Sequence, residues 1–520
     1  MAFLVQWTTW EVVLALFAGF YLTRTIYRLY LHPLSKFPGP KLTAATGLYE
    51  VYHDVVRGGK FLWEIEKMHQ KYGPIVRINP REIHVKDPYF HDEIYTSGAR
   101  KRNKDPKFVG LFGSPLSMIA TVDHDHHRFR RGILGAFFSK RSVTDLSPLI
   151  QKKVLRLMER LHGFYEERKV VDLSAAFAAL TGDIITYYSY GESSNFLDSE
   201  HFRSDVRNAI METEELDHIT RLFPFVLTIM RYVPQGIFEF IKPATAVVAM
   251  LQKQVAEKSS KAIQNAGAKL PRRESGGISY GMFEALTDTK IPPHERTIPR
   301  IHDEGMILLS GGTEPAANAL TVAAFHLINN TTLMAKMRAE LLAAEIDGRR
   351  AVTLAQLEQL PYLTGVVNES LRLSHGLVIR TPRIAPTEAL TYKDYTIPAG
   401  TPVSMSSYFV HMDPSLFPSP MVFNPDRWIE ATKRGENLTR FITAFGKGSR
   451  QCLGMNLGYA ELYFALACFA TYFDYQLHET TAENVGVARD RGVPFPEKGH
   501  FTVQAKVVKA YRDPFSQGDA

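Results

Sequence analysis

A loop near the C-terminus, residues 445–454, constrains the fold of this chain more than any other feature. It reads FGKGSRQCLG, and a run of apolar residues at helical spacing begins directly after it. A cysteine just before a helix N-terminus lies near the positive end of the helix dipole and near free backbone N–H groups, and both stabilise a thiolate. Cys452 is therefore a candidate metal ligand, and the chain has to fold around whatever this sulfur binds.

The other residues of the loop suit a flat, anionic ligand. Gly448 and Gly454 allow tight turns and a close approach of the backbone. Phe445 can cover the sulfur from water, and Arg450 supplies a fixed cation that suits a carboxylate. The only other cysteine, Cys468, lies in an apolar helical run and is read as core, so no disulfide framework is expected.

The loop resembles the haem-binding signature of the cytochrome P-450 superfamily, F-x-x-G-x-R-x-C-x-G, at every fixed position. The resemblance implies a mainly α fold with small β-sheets and heme b (iron protoporphyrin IX) held by the thiolate of Cys452. It extends over nearly the whole chain. The strings YRLYLHPLSKFPGPKL and YFVHMDP look especially like fungal secondary-metabolism members of the trichodiene oxygenase type.

Two further motifs match the structural elements of that family. Glu369 and Arg372 are three residues apart and share one face of a predicted helix. They resemble the family's E-x-x-R. The later segment FNPDRW looks like its P-E-R-F element, whose arginine here is Arg427. The resemblance implies that these three side chains form one buried network, because such charges are costly to bury unless they are paired.

Three basic residues outside the cysteine loop match positions that contact haem propionates in the family. His127 and Arg131 lie one helical turn apart and resemble the family's W-x-x-x-R element, with histidine in place of tryptophan. Arg383, in the string RTPR, matches a third such position. The alternative interpretation of each is an ordinary solvated surface charge.

A long predicted helix carries the string SGGTEPA at residues 310–316. It resembles the family's [AG]-G-x-[DE]-T-T segment, in which an acid and a threonine deliver protons during dioxygen activation. Glu314 keeps the acid, but Pro315 occupies the usual threonine position. A proline inside a helix frees the carbonyl four residues earlier, here that of Gly311. We therefore expect the oxygen cleft to persist, with proton delivery through Glu314, Thr313 and ordered water.

The N-terminus is predicted to be a membrane anchor. Residues 1–24 are mostly apolar and carry no charged side chain apart from Glu11 and the final Arg24, and Arg28 and Lys36 follow. This length approaches the ~20 residues that a bilayer span needs, and basic residues after the span place the rest of the chain in the cytosol. We expect a proline-rich hinge at 25–45 and a catalytic domain at 46–520. The protein as a whole is expected to be a single-pass membrane protein of the endoplasmic reticulum.

Hydrophobic periodicity predicts four long helices and few strands. The helices are expected at 146–168, 300–328, 354–374 and 456–475, and the strands at 75–78, 83–86, 390–397 and 501–508.

Together these features predict a haem monooxygenase that hydroxylates or epoxidises a lipophilic terpenoid or polyketide intermediate with O2. NADPH-cytochrome P450 reductase is the expected electron donor and cytochrome b5 a possible second one, since the net charge of +7 suits acidic partners. Nucleic acid is not an expected partner. Pro315 keeps a second class open, a haem-thiolate isomerase or dehydratase that needs no reductase. The expected substrate pocket consists of Phe108, Phe112, Met118, Ile119, Met306, Leu309, Leu377, Val378 and Ile379.

Overall fold

Helices form most of the computed structural model, which describes residues 9–232, 236, 244–264, 282–346 and 352–511. The α-helices are Thr9–Ile26, Lys41–Ala45, Leu48–Val51, Phe61–Tyr72, His91–Ile94, His124–Gly135, Lys140–Glu166, Leu173–Tyr190, Ser204–Glu214, Asp217–Leu222, Phe225–Tyr232, Ala244–Gln264, Met282–Leu286, Ile298–Asn329, Thr331–Ala343, Leu354–Glu358, Pro361–Ser374, Ser407–His411, Asp426–Lys433 and Met455–Tyr472. Wider helical turns occur at Tyr27–Leu31 and Tyr52–Val56. Tighter 3₁₀ turns occur at Pro88–Phe90, Pro106–Phe112, Phe196–Asp198, Pro293–Glu295, Leu438–Phe441, Gly448–Arg450 and Ala482–Asn484.

The strands are short and form four small sheets. They are β1 (Ile75–Arg77), β2 (Ile83–Val85), β3 (Asn103–Lys104), β4 (Val170–Asp172), β5 (Arg383–Ile384), β6 (Leu390–Tyr392), β7 (Tyr395–Ile397), β8 (Pro402–Ser404), β9 (Phe473–Leu477), β10 (Arg489–Arg491), β11 (Val493–Phe495) and β12 (Gln504–Ala510). The largest sheet has the order β1-β2-β8-β5-β3, and only β2 and β8 in it run parallel. A second sheet has the order β4-β12-β9, and two hairpins, β6-β7 and β10-β11, complete the set. The mainly helical fold with small sheets is thereby confirmed.

The helix Ile298–Asn329, called the central helix below, runs through the main hydrophobic core. Its second half is buried almost without interruption, and it packs against Leu173–Tyr190, Pro361–Ser374 and Met455–Tyr472. The helix Leu173–Tyr190 is likewise buried nearly all round, as expected for a helix with apolar residues on every face. The central helix therefore has a fixed position against which the functional residues can be placed.

The predicted helix 300–328 agrees closely with Ile298–Asn329, whereas the other three differ from the structure. The predicted helix 146–168 begins earlier, at Lys140, and ends at Glu166. The predicted helix 354–374 is two helices, because Leu360 is extended and Pro361 begins the second one. Proline is favoured at the first position of a helix, where its missing N–H costs nothing. The predicted helix 456–475 ends at Tyr472, and the next residues form β9, which pairs with β12.

One stretch of the described chain, Trp10–Leu31, is long and apolar enough to cross a membrane. It spans 22 residues and contains an 18-residue window with a mean hydropathy of 1.3, none of which is buried in the protein. Residues 1–8 of the predicted anchor lie outside the described residues. The exposed apolar surface of this helix is what a membrane-anchoring segment presents to lipid.

Candidate haem-thiolate site

The loop 445–454 turns sharply and places its cysteine just ahead of a long helix. Gly448 has a φ of +72°, and a Cβ there would lie 2.2 Å from the carbonyl oxygens of Tyr95 and Thr96. Only glycine fits such a position without displacing backbone. The Cys452 N–H donates to the Phe445 carbonyl over 2.8 Å and closes the loop. Gly454 then precedes the helix Met455–Tyr472.

The Cys452 thiol borders open space inside the protein. Its side chain is solvent-accessible, although the surrounding protein still raises the pKa of the thiol by burial. The Gly454 N–H and the Arg131 guanidinium favour the thiolate, but burial outweighs them. The free thiol therefore keeps its proton near neutral pH, and a bound metal ion is what would remove it.

Phe445 and Gly454 complete the surroundings of the sulfur. The Phe445 ring lies 5.2 Å from the ring of Tyr459 and packs beside Gly458, where even a Cβ would make an ordinary contact of 3.4 Å with the phenyl carbons. Gly454 has a φ of −85°, so its backbone conformation does not require glycine. Any need for glycine at this position must come from the close approach of a ligand.

Five basic side chains gather beside the cysteine loop, namely Lys104, His127, Arg131, Arg383 and Arg450. Burial and the other four groups lower the pKa of His127 to about 2, so this imidazole is neutral. Burial, with repulsion from Arg383, lowers the pKa of Arg450 to about 9. Within the described part of the chain, no carboxylate forms an ion pair with these cations.

Uncompensated buried cations are costly, so this cluster calls for a bound anion. The two propionates of haem supply two negative charges beside a macrocycle. Arg450 is aligned for such a role because three backbone carbonyls, those of Thr121, Val122 and Asp123, accept hydrogen bonds from its guanidinium and fix its plane. Arg131 is fixed similarly by the Gln451 carbonyl, over 2.6 Å. The residues present therefore fit a thiolate-ligated haem.

Lys104 was not predicted from the sequence. It lies on β3, its ammonium donates to the Ile119 carbonyl, and burial together with Arg383 and Arg450 lowers its pKa well below the usual value. No motif marks this lysine, since only strand pairing between β3 and β5 brings it beside Arg383. A lysine between charged neighbours in the sequence looks like an ordinary surface residue.

The central helix presents an open face at Gly311 and Pro315. Both residues are solvent-accessible, whereas Thr313 and Glu314 between them are buried. A Cβ at Gly311 would have no atom within 4 Å. The helix continues through Pro315, which has no N–H to donate to the Gly311 carbonyl. A small ligand could thus reach the helix at this point.

Thr313 lies on another face of the helix. Its hydroxyl donates to the Leu309 carbonyl over 2.7 Å, and its own carbonyl accepts from Thr181 of the helix Leu173–Tyr190. Its methyl group packs beside Gly182 of the same helix. The structure therefore places the Thr313 hydroxyl on the Leu309 carbonyl and away from the open face.

Glu314 is buried next to Arg207 of the helix Ser204–Glu214. The Arg207 Nε atom lies 3.3 Å from Glu314 Oε1, yet neither Glu314 oxygen has a hydrogen-bond donor among the described residues. Burial raises the pKa of Glu314, while Arg207 opposes the shift. Glu214 lies near the same pair, and its pKa is also raised, by burial and by Glu314. A buried carboxyl with a raised pKa is a candidate for holding and passing on a proton.

The E-x-x-R network is fully assembled. Arg372 binds Glu369 through two hydrogen bonds of 2.9 and 2.7 Å, and Arg427 reaches Glu369 over 3.1 Å. Trp428 Nε1 and the Asn424 N–H also donate to the Glu369 carboxylate. These contacts satisfy the buried carboxylate and tie the helix Pro361–Ser374 to the segment before the cysteine loop.

The predicted pocket residues fall into different surroundings. Phe108 and Ile379 share one small apolar cluster, with Phe112 and Leu377 at its edge. Met118 and Leu309 are nearly covered, while Ile119 and Met306 are half-buried. Val378 instead belongs to a separate core cluster with residues of the helix Phe61–Tyr72. It is fully buried there, so its side chain supports the pocket region from behind.

Fold and site together define a haem-thiolate protein. The chain belongs to the cytochrome P450 family, whose model matches residues 45–501. Family membership implies a haem held by a cysteine thiolate. It also implies dioxygen, a redox partner and a lipophilic substrate.

Curated relatives agree over almost the whole length. Conidiogenone synthase PchP450 of Penicillium rubens is 46% identical over 482 residues, which cover 93% of this chain and 96% of that protein. Cytochrome P450 monooxygenase TRI4 of Fusarium sporotrichioides is 43% identical over 487 residues, covering 94% and 92%. A retinoic acid-bound cyanobacterial CYP120A1 structure has a TM-score of 0.65 at 20% identity, covers 86% of this chain and 93% of that one, and shows the shared fold. The chain is therefore a cytochrome P450 monooxygenase of the type found in fungal secondary metabolism.

Proposed function

We propose that this enzyme hydroxylates or epoxidises a lipophilic secondary-metabolite intermediate, a terpenoid or a polyketide, with Cys452 as the axial ligand of its haem. The accessible thiol of Cys452 beside an uncompensated cationic cluster is the observation that carries the proposal. The names of the relatives support the substrate class, because one is a conidiogenone synthase and another is TRI4. When bound, the haem supplies the redox chemistry that activates dioxygen for transfer of one oxygen atom to the substrate.

Each of the surrounding residues has a proposed role toward this group. Arg131, Arg383 and Arg450 hold the propionates, and neutral His127 donates a hydrogen bond beside them. Lys104 adds a further positive charge. Phe445 shields the sulfur from water, which helps set the redox potential. Gly448 and Gly454 allow the loop to approach the macrocycle.

Glu314 is proposed to hold and pass the protons that dioxygen reduction consumes. Its carboxyl is buried, burial raises its pKa, and neither of its oxygens has a hydrogen-bond donor among the described residues, which leaves both available to ordered water. The open face at Gly311 leaves room for such water next to the free carbonyl of that residue. Thr313 has no part in the path we propose.

The electrons are proposed to come from NADPH-cytochrome P450 reductase, with cytochrome b5 as a second donor. A net charge of +7 suits acidic redox partners. The exposed apolar helix near the N-terminus and the basic residues that follow it support an endoplasmic reticulum anchor with the catalytic domain in the cytosol.

The test is the spectrum of the reduced protein with carbon monoxide. The wild type is expected to show the strongly red-shifted Soret band of a thiolate-ligated haem, and Cys452→Ser should lose it. Cys468→Ser is the matched control, since this cysteine lies half-buried in the helix Met455–Tyr472 and should leave the band unchanged. An unchanged band in Cys452→Ser, or folded protein without any haem, would refute the assignment.

A second candidate function rests on Pro315. This position lacks the threonine hydroxyl that would help deliver protons. A haem-thiolate isomerase or dehydratase would not need such proton delivery. The two functions differ in what they consume. A monooxygenase uses NADPH and dioxygen in step with product, whereas the alternative forms product without either and without reductase.

A further inference from the structure

The loop 114–121, called the clamped loop below, is held from the side of the central helix by two consecutive acids. The Asp303 carboxylate accepts the Leu116 N–H over 2.8 Å. The Glu304 carboxylate accepts the Met118 N–H over 2.9 Å. Each of these acids accepts a backbone N–H of the loop, so the two contacts fix the backbone of an otherwise irregular segment.

Arg130, on the helix His124–Gly135, holds the same loop through further hydrogen bonds. Its guanidinium donates to the Leu116 carbonyl over 3.0 Å and to Thr121 Oγ1 over 2.8 Å. Two further hydrogen bonds, of 2.8 and 3.2 Å, connect Arg130 to Glu295. The loop backbone is thus hydrogen-bonded to acidic and basic side chains, and other contacts hold those side chains in place.

Arg300 closes this arrangement into a ring. It donates to Glu295 over 3.0 Å and lies 3.1 Å from Glu304 on the next turn of the central helix. Glu295, Arg300 and Glu304 are each at most 2% exposed. Groups of this kind are costly to bury unless they are paired. Here the pairs Arg130–Glu295, Arg300–Glu295 and Arg300–Glu304 connect the helix that holds the loop to the central helix.

The far end of the loop reaches the cysteine side of the molecule. Arg450 of the cysteine loop binds the carbonyls of Thr121 and Val122 over 2.6 and 2.7 Å. The segment from Met118 to Val122 therefore runs from the central helix to the loop that carries Cys452. Because the segment is attached at both ends, Met118 and Ile119 have fixed positions between the central helix and the cysteine loop.

We propose that Glu304, assisted by Asp303, is a positioning residue that sets the regioselectivity of the enzyme by clamping this loop against the central helix. Neither acid touches the reacting atoms in this scheme. They act through Met118 and Ile119, which restrict how a lipophilic substrate can lie over the haem. The catalytic consequence rests on the proposed function, whereas the clamp itself does not.

The first test follows the backbone of the full-length protein by hydrogen–deuterium exchange. Glu304→Ala removes the acceptor of the Met118 N–H, so exchange in peptides covering 114–121 should accelerate about tenfold or more. Glu304→Gln keeps an oxygen that can accept the Met118 N–H and should remain within about threefold of the wild type. Glu340→Ala is the matched control, because Glu340 accepts the N–H groups of Tyr362 and Leu363 at another helix start. It should loosen that region and leave 114–121 unchanged.

The second test measures the shape of the space beside the haem with two iron ligands, imidazole and the bulkier 4-phenylimidazole. If the loop positions Met118 and Ile119, Glu304→Ala should change the ratio of the two dissociation constants at least threefold, while Glu340→Ala should not. Unchanged exchange in Glu304→Ala, or equal loosening of 114–121 by Glu340→Ala, would overturn the clamp. An unchanged ligand ratio with faster exchange would overturn its role in positioning. Failure of the carbon monoxide test alone would refute the haem assignment and leave the exchange result valid.

Discussion

Glu461 shows how burial without a partner alters one residue. It lies on the helix Met455–Tyr472, it is 1% exposed, and its Oε1 atom receives no hydrogen bond from the described residues. Burial alone raises the pKa of its carboxyl well above the usual value. The native protein therefore keeps a proton on Glu461 at pH values where the unfolded chain has released it.

This difference gives Glu461→Gln a pH-dependent effect on stability. Below the ordinary pKa of glutamate both states are protonated, so the group contributes no pH dependence. As the pH rises, the unfolded chain ionises first and binds fewer protons, so the wild type loses stability. Glutamine cannot ionise, and the variant should gain about 1–3 kcal/mol over the wild type at pH 8 but almost nothing near pH 4.

Urea unfolding at several pH values measures this gain, and Glu483→Gln is the control, since Glu483 is exposed. A gain that is equal at low and high pH would contradict the account, because it would come from packing and not from ionisation.

At the scale of the residue, site residues could be identified from the sequence where they belong to a motif with a fixed spacing. The residues Cys452, Arg450, Glu369 and Arg372 were found from motifs that each lie within one short segment. Lys104 and Arg207 could not be found in this way, because strand pairing and helix packing bring them to the site from distant parts of the chain. The direction in which the Thr313 side chain points depends on how the central helix is rotated about its axis. The packing of neighbouring helices determines that rotation.

At the scale of the element, Pro315 gives the central helix its most unusual property. The helix is continuous from Ile298 to Asn329, but the Gly311 carbonyl lacks the N–H that residue 315 would otherwise donate. Around this turn of the helix, Gly311 and Pro315 are also the exposed residues. The helix therefore offers a free acceptor at an open face.

Replacing Pro315 tests whether this free acceptor matters. Pro315→Ala restores the N–H and the helical hydrogen bond, so proton delivery should fail more often and the peroxide released per NADPH oxidised should rise severalfold. Pro315→Thr should be closer to the wild type, because a threonine hydroxyl can compete for the Gly311 carbonyl. Ser310→Ala is the control within the same helix, since the Ser310 hydroxyl binds the Met306 carbonyl. Equal peroxide release in the wild type and Pro315→Ala would show that the acceptor plays no part.

The ends of helices and strands were predicted less well than the helices and strands themselves. Apolar periodicity continues across Leu360 and across Tyr472, so it cannot show that a helix stops at either position. Proline at position 361 and pairing of β9 with β12 decide these ends. Periodicity reports which face is buried, whereas local turns and long-range pairing determine where an element ends.

At the scale of the whole molecule, the N-terminal helix is joined to the globular part by specific hydrogen bonds. The Arg28 guanidinium donates to the Ala45 carbonyl over 2.7 Å. Arg77, which is 2% exposed, donates to the Arg28 carbonyl over 2.8 Å and to the Pro80 carbonyl over 2.7 Å. The expected hinge at 25–45 is therefore held at defined points, and the helix before it leaves the protein in a fixed direction.

This connection predicts where the chain can be shortened. Removing residues 2–25 deletes most of the apolar span but keeps Arg28 and its contacts, so the protein should move from the membrane pellet to the supernatant after a carbonate wash. It should keep its fold, because the deleted helix is exposed along its length. Adding Arg77→Ala to the shortened chain should lower the free energy of unfolding by about 1–3 kcal/mol, since two carbonyls lose their buried donor. A shortened protein that stays in the pellet, or that loses its folded state without Arg77→Ala, would mean that the N-terminal helix belongs to the globular fold and is not a separate anchor.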